Sequence, residues 1–139
     1  MLNTLRFLLA PLALLVVAAC ASTASAPSMF GEWNVSAIEG TPVMEGSPAF
    51  LRFNDDGSVS GNAGVNRLQG SWTIEDDVFK IGPLAVTRMA GPEPLMDQET
   101  RLLAAIDKVC CFGVEEGDLV LSDMDGAEVV RAAPRPASE

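Results

Sequence analysis

The sequence predicts a small, mainly β (α+β) domain: about eight short antiparallel strands, a sheet that closes on itself, and one helix. Three observations carry this. Four acidic turns, Asn54-Asp55-Asp56-Gly57, Glu75-Asp76-Asp77, Glu115-Glu116-Gly117 and Asp123-Met124-Asp125-Gly126, separate runs that alternate as strands do. Residues 59–72 carry Gly61, Asn62, Gly64, Asn66 and Gly70 where a hairpin needs tight backbone. A single segment, residues 94–108, abandons alternation for helical spacing. A domain of this size owns a core, yet is small enough that closing the sheet is the natural way to remove its edges.

In chain order, Arg6 precedes an apolar run over residues 7–19, shorter than the roughly 20 residues that span a bilayer. It reads as an export signal. The run ends Val17-Ala18-Ala19-Cys20, which resembles the lipobox of bacterial lipoproteins, in which the cysteine is acylated and becomes the mature N-terminus; the alternative is an ordinary signal peptide ending near a cysteine. Multiple acyl chains anchor firmly where one alone is marginal. Ala21 rather than aspartate follows, which by the same resemblance favours the periplasmic face of the outer membrane. Residues 21–28 offer nothing large to bury and read as a tether reaching about 25–30 Å. The expected organisation is therefore signal peptide 1–19, lipidated Cys20 and tether 20–28, a domain over 29–132, and a fraying tail over 133–139. Without Arg6, eight basic residues face 19 acidic ones, a formal charge of −11, which disfavours nucleic acid as a partner.

Within the domain, residues 30–38 form the first strand with Trp33 and Val35 buried, and residues 39–48, with two glycines and two prolines, form a loop. Residues 49–53 and 58–61 pair across the first Asp-Gly turn; residues 71–74 and 78–81 pair across the second acidic turn, leading to a strand over 84–89. Pro94 suits a first helical turn, Asp97 and Glu99 lie near its positive end, and Leu95, Leu102, Leu103, Ile106 and Val109 mark its apolar side. Residues 110–114 and 118–122 pair around Glu115-Glu116-Gly117, and residues 127–132 make the last strand.

Several of these residues together resemble the META domain family, the HslJ-like lipoproteins: Gly31 and Trp33; Phe53 with Asp56-Gly57; Gly61; Gly64-Val65-Asn66-Arg67; Gly70; Ile81-Gly82-Pro83-Leu84-Ala85; Thr87-Arg88-Met89-Ala90; Glu99; and Leu119 with Leu121. The resemblance covers essentially the whole domain. It implies an incompletely closed, cracked antiparallel β-barrel with one helix, and a link to heat shock, envelope stress and resistance to some antibiotics, with no catalytic mechanism. The family often has cysteines where this chain has Val65 and Gly91. Their joint absence suits the loss of a linked pair, so the core must hold without that bridge.

A phosphate-binding reading of Gly61, Gly64 and Gly70 fails, because such a loop opens a helix and carries Lys-Ser or Lys-Thr. Cys110 and Cys111 are neighbours in a strand, so one faces in and one out; alternation puts Cys110 inside. With no histidine in the chain, a metal site is not expected, and neither is a cofactor or an enzyme; a redox role for Cys111 is the minority reading. Asp123-Met124-Asp125-Gly126 lacks the spacing of a calcium loop. What remains is a monomeric module acting through an envelope protein partner, with Glu115, Glu116 and Asp118 in an acidic turn as candidate contacts for a basic hydrolase. The alternative is a carrier of a small apolar ligand in the barrel, with Met44 in its loop flexing over the mouth.

Overall fold

In the computed structural model, residues 28–136 are described. The expected signal peptide, Cys20 and most of the tether lie outside them, as do residues 137–139. The strands are β1 (Gly31–Ile38), β2 (Thr41–Pro42), β3 (Phe50–Phe53), β4 (Ser58–Asn62), β5 (Arg67–Glu75), β6 (Val78–Ile81), β7 (Ala85–Val86), β8 (Cys111–Glu115), β9 (Asp118–Ser122) and β10 (Glu128–Pro134), with the helix α1 (Glu93–Ile106) between β7 and β8. All pairings are antiparallel. Eight strands form one path, β6-β5-β4-β3-β1-β10-β9-β8, with the two-residue β2 and β7 attached beside β1 and β5.

The path curls until its ends meet. Phe79 N–H of β6 donates to the Cys110 carbonyl just before β8 (2.8 Å), and the rings of Phe79 and Phe112 meet edge-on at 5.2 Å. This is the cracked barrel that the resemblance implies. Register shifts between Val35 and Ala37 of β1 and between Glu128 and Val130 of β10 bend the two central strands, as closure requires. Leu51, Phe53, Val59, Leu119, Leu121 and Val130 point inward from the strands and are almost fully buried. The helix lies across one end, driving Leu102, Ala105 and Ile106 into the same core. No buried side-chain nitrogen or oxygen of a described residue lacks a partner, so residues 28–136 close a self-contained unit.

Four expectations are adjusted. The strand over 84–89 shrinks to Ala85–Val86, because the following residues turn toward the helix; β5 begins earlier, at Arg67. The supposed tail is ordered through Arg135: β10 runs to Pro134, Arg135 N–H donates to the Glu32 carbonyl (2.9 Å), and its guanidinium covers the Phe50 ring at 4.5 Å. The loop over 39–48 includes the short β2.

Candidate functional site

The two central motifs meet at one buried junction. Gly64 sits at φ +145°, and a Cβ there would lie 2.9 Å from the Leu95 carbonyl, so glycine lets the β4–β5 loop press against α1. Glu99 answers from the helix. Its Oε2 accepts from Val65 N–H (2.9 Å) and Asn66 N–H (2.7 Å), and its Oε1 from Asn66 Nδ2 (2.7 Å). Burial pushes the Glu99 carboxyl up, but these donors from Asn66 and Val65 outweigh it and hold the group below the ordinary value. Asn66 turns its other side to the second motif: Oδ1 accepts from Thr87 Oγ1 (3.0 Å) and Met89 N–H (2.6 Å), and Nδ2 also donates to the Met89 carbonyl (3.1 Å). Every polar group is paired, so the junction holds structure together and offers no free acid or base.

Gly61 has a related duty, since a Cβ there would sit 2.1 Å from the Phe50 carbonyl. Gly70 leaves room for Leu84 and the Pro83 carbonyl. Gly61, Gly64, Asn66, Gly70, Thr87 and Met89 thus all serve the packing of the β4–β5 hairpin, though Met89 leaves its side chain 65% exposed.

Strand directions sort the acidic turns. Because all neighbours are antiparallel, the β3–β4, β5–β6 and β8–β9 turns lie at the end opposite the helix, and the β9–β10 turn lies at the helical end. One end of the barrel therefore collects Asp55, Asp56, Glu75, Asp76, Asp77, Glu115, Glu116 and Asp118. Phe30 and Ile74 stand exposed there (49% and 51%), with Phe30 tilted on Trp72 at 5.9 Å. The Glu115 and Asp118 carboxylates are not free: they and Glu128 converge on Arg131, at 3.3, 3.5 and 2.9 Å. Glu116, at φ 53°, keeps its charge in solvent.

Met44 sits in the loop that docks on the helix. Its N–H donates to Gln98 Oε1 (2.9 Å), Gln98 Nε2 donates to Ser47 Oγ (2.6 Å), and its side chain points outward, 43% exposed, while the barrel interior is occupied by large apolar side chains. Cys110 is buried and Cys111 exposed, both free, with their sulfurs 3.1 Å apart. That contact to Cys111, followed by burial, raises the Cys110 thiol to about 11, far from a reactive thiolate. Asp123 Oδ1 accepts from Asp125 N–H and Ala127 N–H, so its turn is self-satisfied, and no cluster of three metal-ligating side chains occurs among the described residues. Val65 and Gly91 do meet: a Cβ on residue 91 would lie 3.3 Å from the Val65 Cβ.

Two surface hollows flank the junction, of about 480 Å³ on the outer face of β3, β4, β5 and β7, and about 570 Å³ between residues 84–90 and the helix. Sequence reasoning missed both, as well as the buried Gln98 and the acceptor role of Glu99. The usable signal was that Gln98 and Glu99 fall on the same helical stripe as Leu95, Leu102 and Ile106.

A family model described as META domain matches residues 28–136. Among solved structures, an NMR structure of a protein from Burkholderia xenovorans is similar, with 27% identity, a TM-score of 0.61, and 83% of this chain and 95% of that one covered. A DUF4847 family protein from Bacteroides vulgatus shares the fold at 13% identity and a TM-score of 0.53, with 78% of this chain and 94% of that one covered. No curated protein matches the chain.

Proposed function

The chain belongs to the META domain family, and from that premise we propose that it is a non-catalytic accessory module of the cell envelope, held to a membrane by lipid on Cys20 and acting in stress tolerance through contact with a basic protein. The observation that carries the reading is that three acidic turns share, with the exposed Phe30 and Ile74, the end of the barrel that the helix leaves uncovered. Exposed apolar side chains at a predominantly acidic end suit a partner surface: the charge steers encounter over about 8 Å at physiological salt, and the apolar side chains supply contact area. The paired Glu115 and Asp118 carboxylates contribute less to this field than the unpaired Asp55, Glu75, Asp76 and Asp77. The packed interior favours contact at this end over transport of an apolar ligand inside the barrel.

The test places a photo-crosslinking residue at Ile74 or, as control, at Met124 at the opposite end, in the full chain in its own envelope. A discrete adduct at Ile74 that fades with rising salt, and none at Met124, is expected. Equal labelling at both positions would refute contact at this end, and an Ile74 adduct indifferent to salt would refute the role of the acidic turns in it. Separately, Cys20→Ala is expected to move the protein from the membrane to the soluble envelope fraction; unchanged membrane attachment would rule out the anchor.

A further inference from the structure

The hollow on the outer face of β3, β4, β5 and β7 has an electrostatic character opposite to that of the protein. Register builds it. Arg52, Ser60, Gln69 and Ala85 lie in one row across the four strands, and Phe50, Asn62 and Arg67 in the next, all on the outward face. The row is low at Ser60, inside it, and at Ala85, at its far end, while Phe50, Arg52 and Arg67 project beside them, which leaves a half-open groove of about 480 Å³. That volume lies in the range typical of small-molecule sites. Its outward apolar side chains are Phe50 and Ala85, with Leu68 and Val86 bordering it only from the inward-facing row between.

No acid lines this groove, although the chain as a whole carries −10. Arg67 makes no ion pair with any described residue. Arg52 and Arg135 share the single carboxylate of Glu32, and Arg135 lies over the Phe50 ring. Arg52, Arg67 and Arg135 thus have one carboxylate, that of Glu32, among them, a local excess of two positive charges on an acidic protein. The side chains of Ser60 and Gln69 have no hydrogen-bond partner among the described residues, whereas the Thr87 hydroxyl is fixed, accepting from Arg67 N–H and donating to Asn66 Oδ1. One wall is therefore held rigidly by the buried junction, and the unused donors face the open space.

We propose that this groove is a binding site for a small soluble organic monoanion, a carboxylate on a compact aromatic or alicyclic body. The carboxylate pairs with the Arg67 guanidinium, whose fork geometry suits two parallel hydrogen bonds, with Ser60 and Gln69 as further donors. The ring lies along Phe50 and Ala85. This site stands apart from the acidic end of the barrel, so either assignment can fail without the other.

The test titrates the unlipidated chain from Ala21 onward with 2-naphthoate, 2-naphthamide and acetate, following backbone amide shifts. Naphthoate is expected to saturate with the largest shifts at Ser60, Gly61, Leu68 and Gln69. Naphthamide keeps the body without the charge and acetate the charge without the body, so each should bind about tenfold or more weakly, in line with loss of a charge-assisted bond or of the ring contact. Arg67→Met, which removes a side chain with no internal partner, and Gln69→Glu, which adds a charge of the wrong sign, should each weaken naphthoate by a similar factor with the spectrum otherwise native. The proposal is overturned by any of four results: no saturable shift, equal binding of naphthamide, shifts centred at Phe30 and Ile74 or beside the helix, or unchanged affinity in both variants.

Discussion

Asn66 bonds through its backbone N–H, both amide hydrogens and its side-chain oxygen, and so ties the β4–β5 loop, the segment after β7 and the helix to one point. Replacing one atom tests this. Asn66→Asp places a carboxylate oxygen against Glu99 Oε1, where the amide now donates at 2.7 Å, and is expected to cost about 3 kcal/mol at pH 7, the scale of an uncompensated buried charge. The pH response should reverse as well. In the parent protein the Glu99 carboxyl is held below its ordinary value of 4.5, so its contribution is complete above that pH and is lost as pH falls through the lowered native value. In Asn66→Asp the two facing carboxylates share a proton, their joint affinity for it rises on folding, and stability should recover as pH falls from 7 toward 5. Denaturant unfolding at the two pH values reads both effects. The sequence marked Asn66 as a turn residue and Glu99 as a favourable charge near a helix start; it could not show that they touch, because 33 residues separate them. What was legible was the misplaced polarity: Glu99 is one turn from Leu95 and three residues from Leu102 and therefore on the stripe that must be buried.

At the scale of elements, turns were the most legible features, since their conformation depends on a few adjacent residues. The β5–β6 connection puts Asp76 and Asp77 both at positive φ (51° and 63°), the two-residue turn that favours Asn-Gly. Asp76→Asn with Asp77→Gly should therefore stabilise the domain by about 0.5–1 kcal/mol, measured as a rise in the unfolding midpoint. The strands flanking α1 were less legible. The run over 84–89 has strand-like composition, but only Ala85 and Val86 pair with β5, because Met89 is claimed by Asn66 and Gly91 by close contact with Val65. That contact makes a further expectation concrete. Val65→Cys with Gly91→Cys should form a disulfide under oxidising conditions, since the Cβ positions fall close to the range such bonds use. The stabilisation should be about 2–4 kcal/mol and should vanish with reductant. Failure to oxidise, or a lower midpoint when oxidised, would show that the backbone there cannot accept the bridge.

At the scale of the whole molecule, alternation and a lack of room for open edges indicated a sheet that curls on itself, and the chain curls its sheet into a barrel left cracked between β6 and β8. Which turns share an end was hidden, because that depends on how the chain returns through β7 and α1, a crossing without a local signature. Eight acidic residues at one end repel one another, so raising salt to about 0.5 M should increase the melting temperature by screening them, and neutralising Asp55, Asp76 and Asp77 together should remove most of that increase. A salt response unaltered by those changes would place the repulsion elsewhere. The central pairing of the sheet joins Trp33 to Pro134 and Val35 to Ala132, so the first long strand and the last are neighbours. The arc from β1 to β6 and the arc from β8 to β10 each form from nearby sequence, but the ladder that unites them is that seam, their far edges touching only around Phe79. A chain delivered N-terminus first therefore holds half of a barrel open until its final strand emerges, and closing a loop of that length comes late and slowly. During that interval the exposed side of β1 is a template for any extended segment within reach, which gives the time of β10's arrival, rather than the stability of the finished barrel, control over whether the protein folds or aggregates.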